Sequence, residues 1–90
     1  MARVTAFQID GLKIWFWSND HEPPHFHVMR RGKWEVKVTF MLDPAKMIEI
    51  QWGSSSQSEL KTLIRLAEKH RLDLLEQWRL IRESETGKQK

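Results

Sequence analysis

The stretch Trp34-Glu35-Val36-Lys37-Val38-Thr39-Phe40 alternates apolar and polar residues without interruption. Side chains two apart share one face of a strand, so residues 33–41 read as a β-strand. Trp34, Val36, Val38 and Phe40 fall on one face, with Lys33, Glu35, Lys37 and Thr39 on the other. Turn signals bracket it: Arg31-Gly32 before, Asp43-Pro44-Ala45-Lys46 after. The same grammar extends outward. Residues 4–8 read as a first short strand and Asp10-Gly11 as a hairpin turn. Residues 12–18 follow as a strand with Leu12, Ile14 and Phe16 on one face and Lys13, Trp15 and Trp17 on the other. Residues 25–30 place Phe26 and Val28 opposite His25, His27 and Met29. Residues 47–52 turn Ile48, Ile50 and Trp52 inward. Short connections between successive strands favour an antiparallel meander.

The period changes after Gly53-Ser54-Ser55-Ser56. Ser56 and Glu59 have capping-box spacing. Leu60, Leu63, Ile64 and Ala67, then Leu74, Leu75, Trp78 and Ile81, recur at helical intervals. One helix over 57–83 would run about 40 Å and overhang a sheet of short strands. A break is therefore expected at His70-Arg71, with Asp73 in the favourable first turn of a second helix. Residues 84–90 lack apolar side chains and read as a flexible polar tail after a single domain over 1–83. The fold expectation is α+β: a five-stranded, mostly antiparallel meander with two C-terminal helices packed on one face.

A chain of 90 residues has room for one core and no large enclosed site. Cysteine is absent, which removes disulfides and thiolate zinc sites. No apolar run approaches a membrane span and no signal peptide is visible, so the expected location is cytoplasmic. The net charge of +3 permits contact with nucleic acid without demanding it.

Two groups of residues stand out from this scaffold. The first is Ser18-Asn19-Asp20-His21-Glu22-Pro23-Pro24-His25-Phe26-His27, which concentrates three of the four histidines beside paired prolines. His25 and His27, two apart on a strand, share a face. With His21 and a carboxylate from Asp20 or Glu22 they could hold zinc or another divalent transition metal. Alternatively, the imidazoles hydrogen-bond loop backbone and fix the proline turn. The second group is the outward sheet face, where Trp15 and Trp17 lie among basic residues. With Arg30, Arg31, Lys33 and Lys37 it could stack bases and contact phosphates, or it could dock a protein or a second copy of the chain. No cysteine and no glycine-flanked serine offers a nucleophile, so no catalytic residue is assigned.

Together these residues resemble a known family. The run from Asp10 to Val28, with an aromatic strand followed by Ser-Asn-Asp-His-Glu-Pro-Pro-His-Phe-His, is similar to the signature of the bacterial and phage domain of unknown function 4160. Leu74-Leu75-Glu76-Gln77-Trp78 is similar to its closing helical motif. Trp15 and Trp17 stand where members often carry tyrosine, and His70 where they often carry asparagine. The resemblance implies a strand hairpin followed by a helical segment, and no established activity. It also implies a frequent gene neighbour, in pairs grouped as candidate toxin–antitoxin modules. The resulting expectation is a small binding or regulatory module, with a metal-dependent hydrolase or nuclease built on His21, His25 and His27 as the alternative.

Overall fold

The structure is a computed structural model that describes residues 2–17 and 21–88, with side chains to residue 83. Five strands form one antiparallel sheet in sequence order: β1 (Ala2–Arg3), β2 (Lys13–Phe16), β3 (Phe26–Arg30), β4 (Trp34–Val38) and β5 (Ile48–Gly53). A 3-10 turn over Pro44–Lys46 precedes β5, and α1 (Gln57–Lys69) and α2 (Arg71–Lys88) complete the chain. No helix among the described residues is long and apolar enough to cross a membrane.

The expected core face is real. Ile14, Phe16, Phe26, Val28, Trp34, Val36, Val38 and Phe40 are buried under Leu63 and Ala67 of α1 and Leu74 and Trp78 of α2. Phe16, Phe26 and Phe40 meet ring to ring, with centroids 5.9–6.5 Å apart. Burying several large rings removes most of the apolar area a domain this small can sequester. Both helices are spent on this one face.

The helix boundaries follow local chemistry. The Ser56 hydroxyl accepts from the Glu59 amide at 3.1 Å, satisfying a donor left open in the first turn. The helices break at His70, as the length argument requires. The His70 amide donates to Leu66 O and its carbonyl accepts from Leu74 N, so one residue closes α1 and opens α2. The His70 ring stacks on Phe7, centroids 5.6 Å apart. Arg71 then donates to the carbonyls of Phe40 and Leu42, tying the β4–β5 connection to the start of α2. α2 remains helical into the segment expected as a tail.

Three expectations about the sheet need correction. The first strand is not 4–8 but Ala2–Arg3, with Val4 adding one backbone bond to Ile14. Beyond it the Thr5 amide is taken by the Gln77 side chain, and Phe7 turns inward against Phe26. Those partners compete successfully with strand pairing. Second, Trp52 does not face the helices. The β4–β5 register pairs Val36 with Ile50 but Glu35 with Trp52, so Gln51 is an extra residue in a bulge. Trp52 is thereby carried to the Glu35 side of the sheet. Third, Ile50 keeps its expected face but is 54% exposed, because the helices leave this part of the edge strand uncovered.

Candidate functional site

The face opposite the helices is built from two cross-strand rows. Arg3, Trp15, His27, Lys37 and Glu49 pair successively across all five strands. Lys13, Met29, Glu35 and Trp52 form the next row. Direct cross-strand neighbours have Cβ atoms about 4.5–5.5 Å apart, so each row brings its side chains within reach of one another. Trp15 lies against His27 with centroids 5.5 Å apart and an interplanar angle of 23°. Trp17 meets the edge of Trp15 at 6.0 Å, and Lys13 Nζ sits 5.6 Å from the Trp15 centroid.

These contacts separate the two tryptophans that the sequence treats alike. Trp15 is only 5% exposed, sealed by neighbours on its own face, whereas Trp17 is 42% exposed. The buried Trp15 Nε1 has no hydrogen-bond partner among the described residues. Trp52 adds a second open indole, 43% exposed, whose Nε1 donates to Glu35 Oε1 at 3.3 Å. Glu35 also lies 3.9 Å from His27 Nδ1. Sequence alternation missed Trp52 as a member of this face, since a bulge inverts every assignment beyond it. The available signal was Gly53, which ends the strand at φ +78°.

The histidines behave differently from one another. His27 lies on β3, on the face expected. His25 precedes β3 and is buried at the end of the sheet. Its Nδ1 donates to the Pro23 carbonyl at 2.8 Å, an anchor for the proline loop. Its ring lies 5.2 Å from His27 on one side and 5.4 Å from Trp78 of α2 on the other. It therefore lies beside His27 as expected, but buried, bridging the helix layer to the outer face instead of projecting from it. Trp78 Nε1 also reaches Glu22 Oε1 at 3.4 Å. Its spacing with Leu74 marks Trp78 only as core, so its role in bracing the loop was not legible. His21 is exposed. No three His, Asp or Glu side chains among the described residues group as a metal site, so His21 does not join His25 and His27 in one. Ser18, Asn19 and Asp20, the last a candidate metal ligand, lie outside the described residues.

The basic residues also divide. Lys37 lies on the outer face, 3.9 Å from the Glu49 carboxylate. Arg31 and Lys33 are exposed in the β3–β4 turn. Arg30 is not part of this face. It shares the parity of Phe26 and Val28, and both its Nε and Nη2 donate to Glu59 Oε2 of α1, at 2.8 and 2.6 Å. Burial pushes the Glu59 pKa up, but hydrogen bonds from Arg30 and Ser56 and the Arg30 charge outweigh it. The net value lies below the ordinary 4.5.

Chemically, the site offers aromatic surface, one carboxylate between an indole and an imidazole, and a braced loop. Its features coincide with the most recognisable parts of the sequence: the proline loop and the Leu-Leu-x-x-Trp segment meet at His25 and Trp78. No curated protein and no solved structure matches the chain. A family model does, over residues 11–79, a span that contains β2 to β5, the proline loop and Trp78; the chain belongs to that family, described as Domain of unknown function (DUF4160).

Proposed function

We propose that this chain is a small binding module whose Trp17- and Trp52-bearing sheet face docks a protein partner, as one component of a toxin–antitoxin-like pair. The observation supporting this most directly is the pair of half-exposed indoles on a face to which the chain commits neither helix. Exposed tryptophans at fixed positions are typical energetic anchors of protein interfaces. Trp17 and Trp52 sit at opposite corners, three strands and two rows apart, roughly 20 Å by strand geometry. A standard interface of about 800 Å² per partner is about 28 Å across and would engage both.

Charge favours a protein over nucleic acid at this face. Arg3, Lys13 and Lys37 are interspersed with Glu35 and Glu49, and Lys37 already faces a carboxylate. A phosphate-reading surface would carry one sign. Arg30, expected there, is committed to Glu59 instead.

The test is co-expression with the protein encoded beside this one, followed by size-exclusion chromatography and calorimetry. A stable complex is expected. Trp17→Ala and Trp52→Ala should each weaken it by about 2 kcal/mol or more, roughly 30-fold. A complex indifferent to both substitutions, or no complex at all, would remove this reading.

A further inference from the structure

The chain's positive charge is gathered elsewhere. Lys61, Arg65 and Lys69 recur every four residues along α1 and are all exposed. Each step advances about 6 Å along the axis with a rotation of about 40°, so the three make a narrow row about 12 Å long. The β3–β4 turn adds Arg31 and Lys33 at one end of this row. Two contacts fix that placement. Arg30, which leads into the turn, clasps Glu59 in the first turn of α1. The backbone at Gly53, just before α1, packs so closely on the turn that an added Cβ would overlap the Lys33 carbonyl and Trp34 Cα.

None of these five cations has an ion-pair partner among the described residues. Opposing charge is sparse. α1 contains two carboxylates, Glu59 and Glu68, and the first is occupied by Arg30. Only Glu68 stands exposed in the row. The outer side of α2 has the opposite character, with Asp73, Glu76 and Glu83 exposed against Arg79. A net charge of only +3 for the whole chain thus conceals a band of five cations against one carboxylate.

We propose that this band, from the β3–β4 turn along the outer side of α1, binds the phosphate backbone of nucleic acid without reading sequence. Rows of unpaired cations gain affinity by releasing the counterions condensed on a polyanion. An anionic membrane fits less well. A helix lying in a membrane interface inserts an apolar face, and that of α1 is already used: Leu63 and Ala67 are fully buried, with Leu60, Ile64 and Leu66 packed beside them. The α1 row lies on the helix side of the sheet, opposite the face that carries Trp17, so docking at Trp17 leaves these three cations free.

The experiment uses fluorescence anisotropy of a labelled mixed-sequence DNA duplex. At about 50 mM salt, binding in the micromolar range is expected, weakening about 10²–10³-fold by about 200 mM if five phosphates are engaged. Lys61→Glu/Arg65→Glu/Lys69→Glu should reduce affinity at least tenfold at low salt. The neutral triple variant to Gln should lower the log–log salt slope by about 3. It decides the matter if charge reversal perturbs the helix, as circular dichroism would show. Trp17→Ala should leave duplex binding unchanged, which separates this proposal from docking at the tryptophan face. No binding by about 100 μM protein at low salt overturns the proposal. So does duplex binding that both triple variants retain, or binding confined to phosphatidylserine vesicles.

Discussion

The two faces of the sheet solve the same problem differently. On the helix side, Phe16 and Trp34 are covered by residues brought from α1 and α2, far away in sequence. On the other side, Trp15 is covered by cross-strand and near neighbours: His27 stacked on it, Trp17 against its edge, and Lys13 over its ring. The first arrangement forms a closed apolar core. The second hides one indole while leaving Trp17 and Trp52 open, and it leaves the Trp15 Nε1 donor unpaired among the described residues. Burial alone therefore does not distinguish a finished surface from an unfinished one. Satisfaction of polar groups and exposure of neighbouring rings do.

Paired substitutions on adjacent strands give the hardest test of this contrast. Trp34→Ala empties a fully packed site and should cost about 3–5 kcal/mol in chemical denaturation. Trp52→Ala, on the neighbouring strand but the other face, should cost less than about 1 kcal/mol, because half-exposed side chains lose little on truncation. Equal costs would break the distinction between the faces.

The bulge that places Trp52 on the outer face is sharpened by a backbone test. Gly53→Ala places a Cβ at φ +78° and against the Lys33 carbonyl. The positive φ alone costs about 1–3 kcal/mol, and the overlap with backbone atoms adds to it. The same change should alter Trp52 fluorescence by disturbing its hydrogen bond to Glu35. A neutral Gly53→Ala would mean that the β5 end readily relaxes and that Trp52 is not held where it is seen.

Trp15→Phe probes the unpaired donor. It retains an aromatic ring beside His27 and removes the buried Nε1–H. An unsatisfied buried donor costs about 1–3 kcal/mol, and the smaller ring gives back part of that in lost packing. The expected net effect is unchanged stability or a gain of up to about 1 kcal/mol. A loss above about 2 kcal/mol would show that the indole is better satisfied than its surroundings indicate.

The family, the strand order, the Ser56 cap and the break at His70 were all legible in the sequence, because each rests on local patterning. The misplaced residues share a different origin. Alternation carries Ile48 and Ile50 correctly to the helix face, but it cannot register the extra residue at Gln51, so Trp52 is inverted. It brings His25 next to His27, as the rings are, but on an open outer face, because it assumes the strand has already begun; the proline loop instead holds His25 buried through Pro23. It groups Arg30 with the turn cations by sequence proximity, although its parity with Phe26 and Val28 points toward α1. Trp78 shows the converse limit: helical spacing identified it as core, but only the tertiary arrangement brings it to His25 and Glu22. Parity is local information; the residue across the gap is not.

The smallest expected effect concerns the edge of the covered face, where Arg30 and Ser56 hold Glu59. The folded state keeps this carboxyl below its ordinary value of 4.5. As pH falls, the unfolded chain therefore takes up the proton before the native state does. The stabilisation from this group is complete above about pH 4.5 and is lost as pH drops through the lower native value. A partly exposed ion pair at the protein surface contributes only about 0.2–1 kcal/mol, and salt screens it. Glu59→Gln should thus cost no more than about 1 kcal/mol at neutral pH and flatten the acid limb of the stability profile. At the lowest pH of that limb, variant and parent should converge. Ser56→Ala should lose a similar amount through its cap and retain much of the Arg30-dependent part of the pH response. If Glu59→Gln leaves the acid limb unchanged, the clasp is only a surface contact, and the apolar packing of α1 around Leu63 and Ala67 holds it to the sheet without the ion pair.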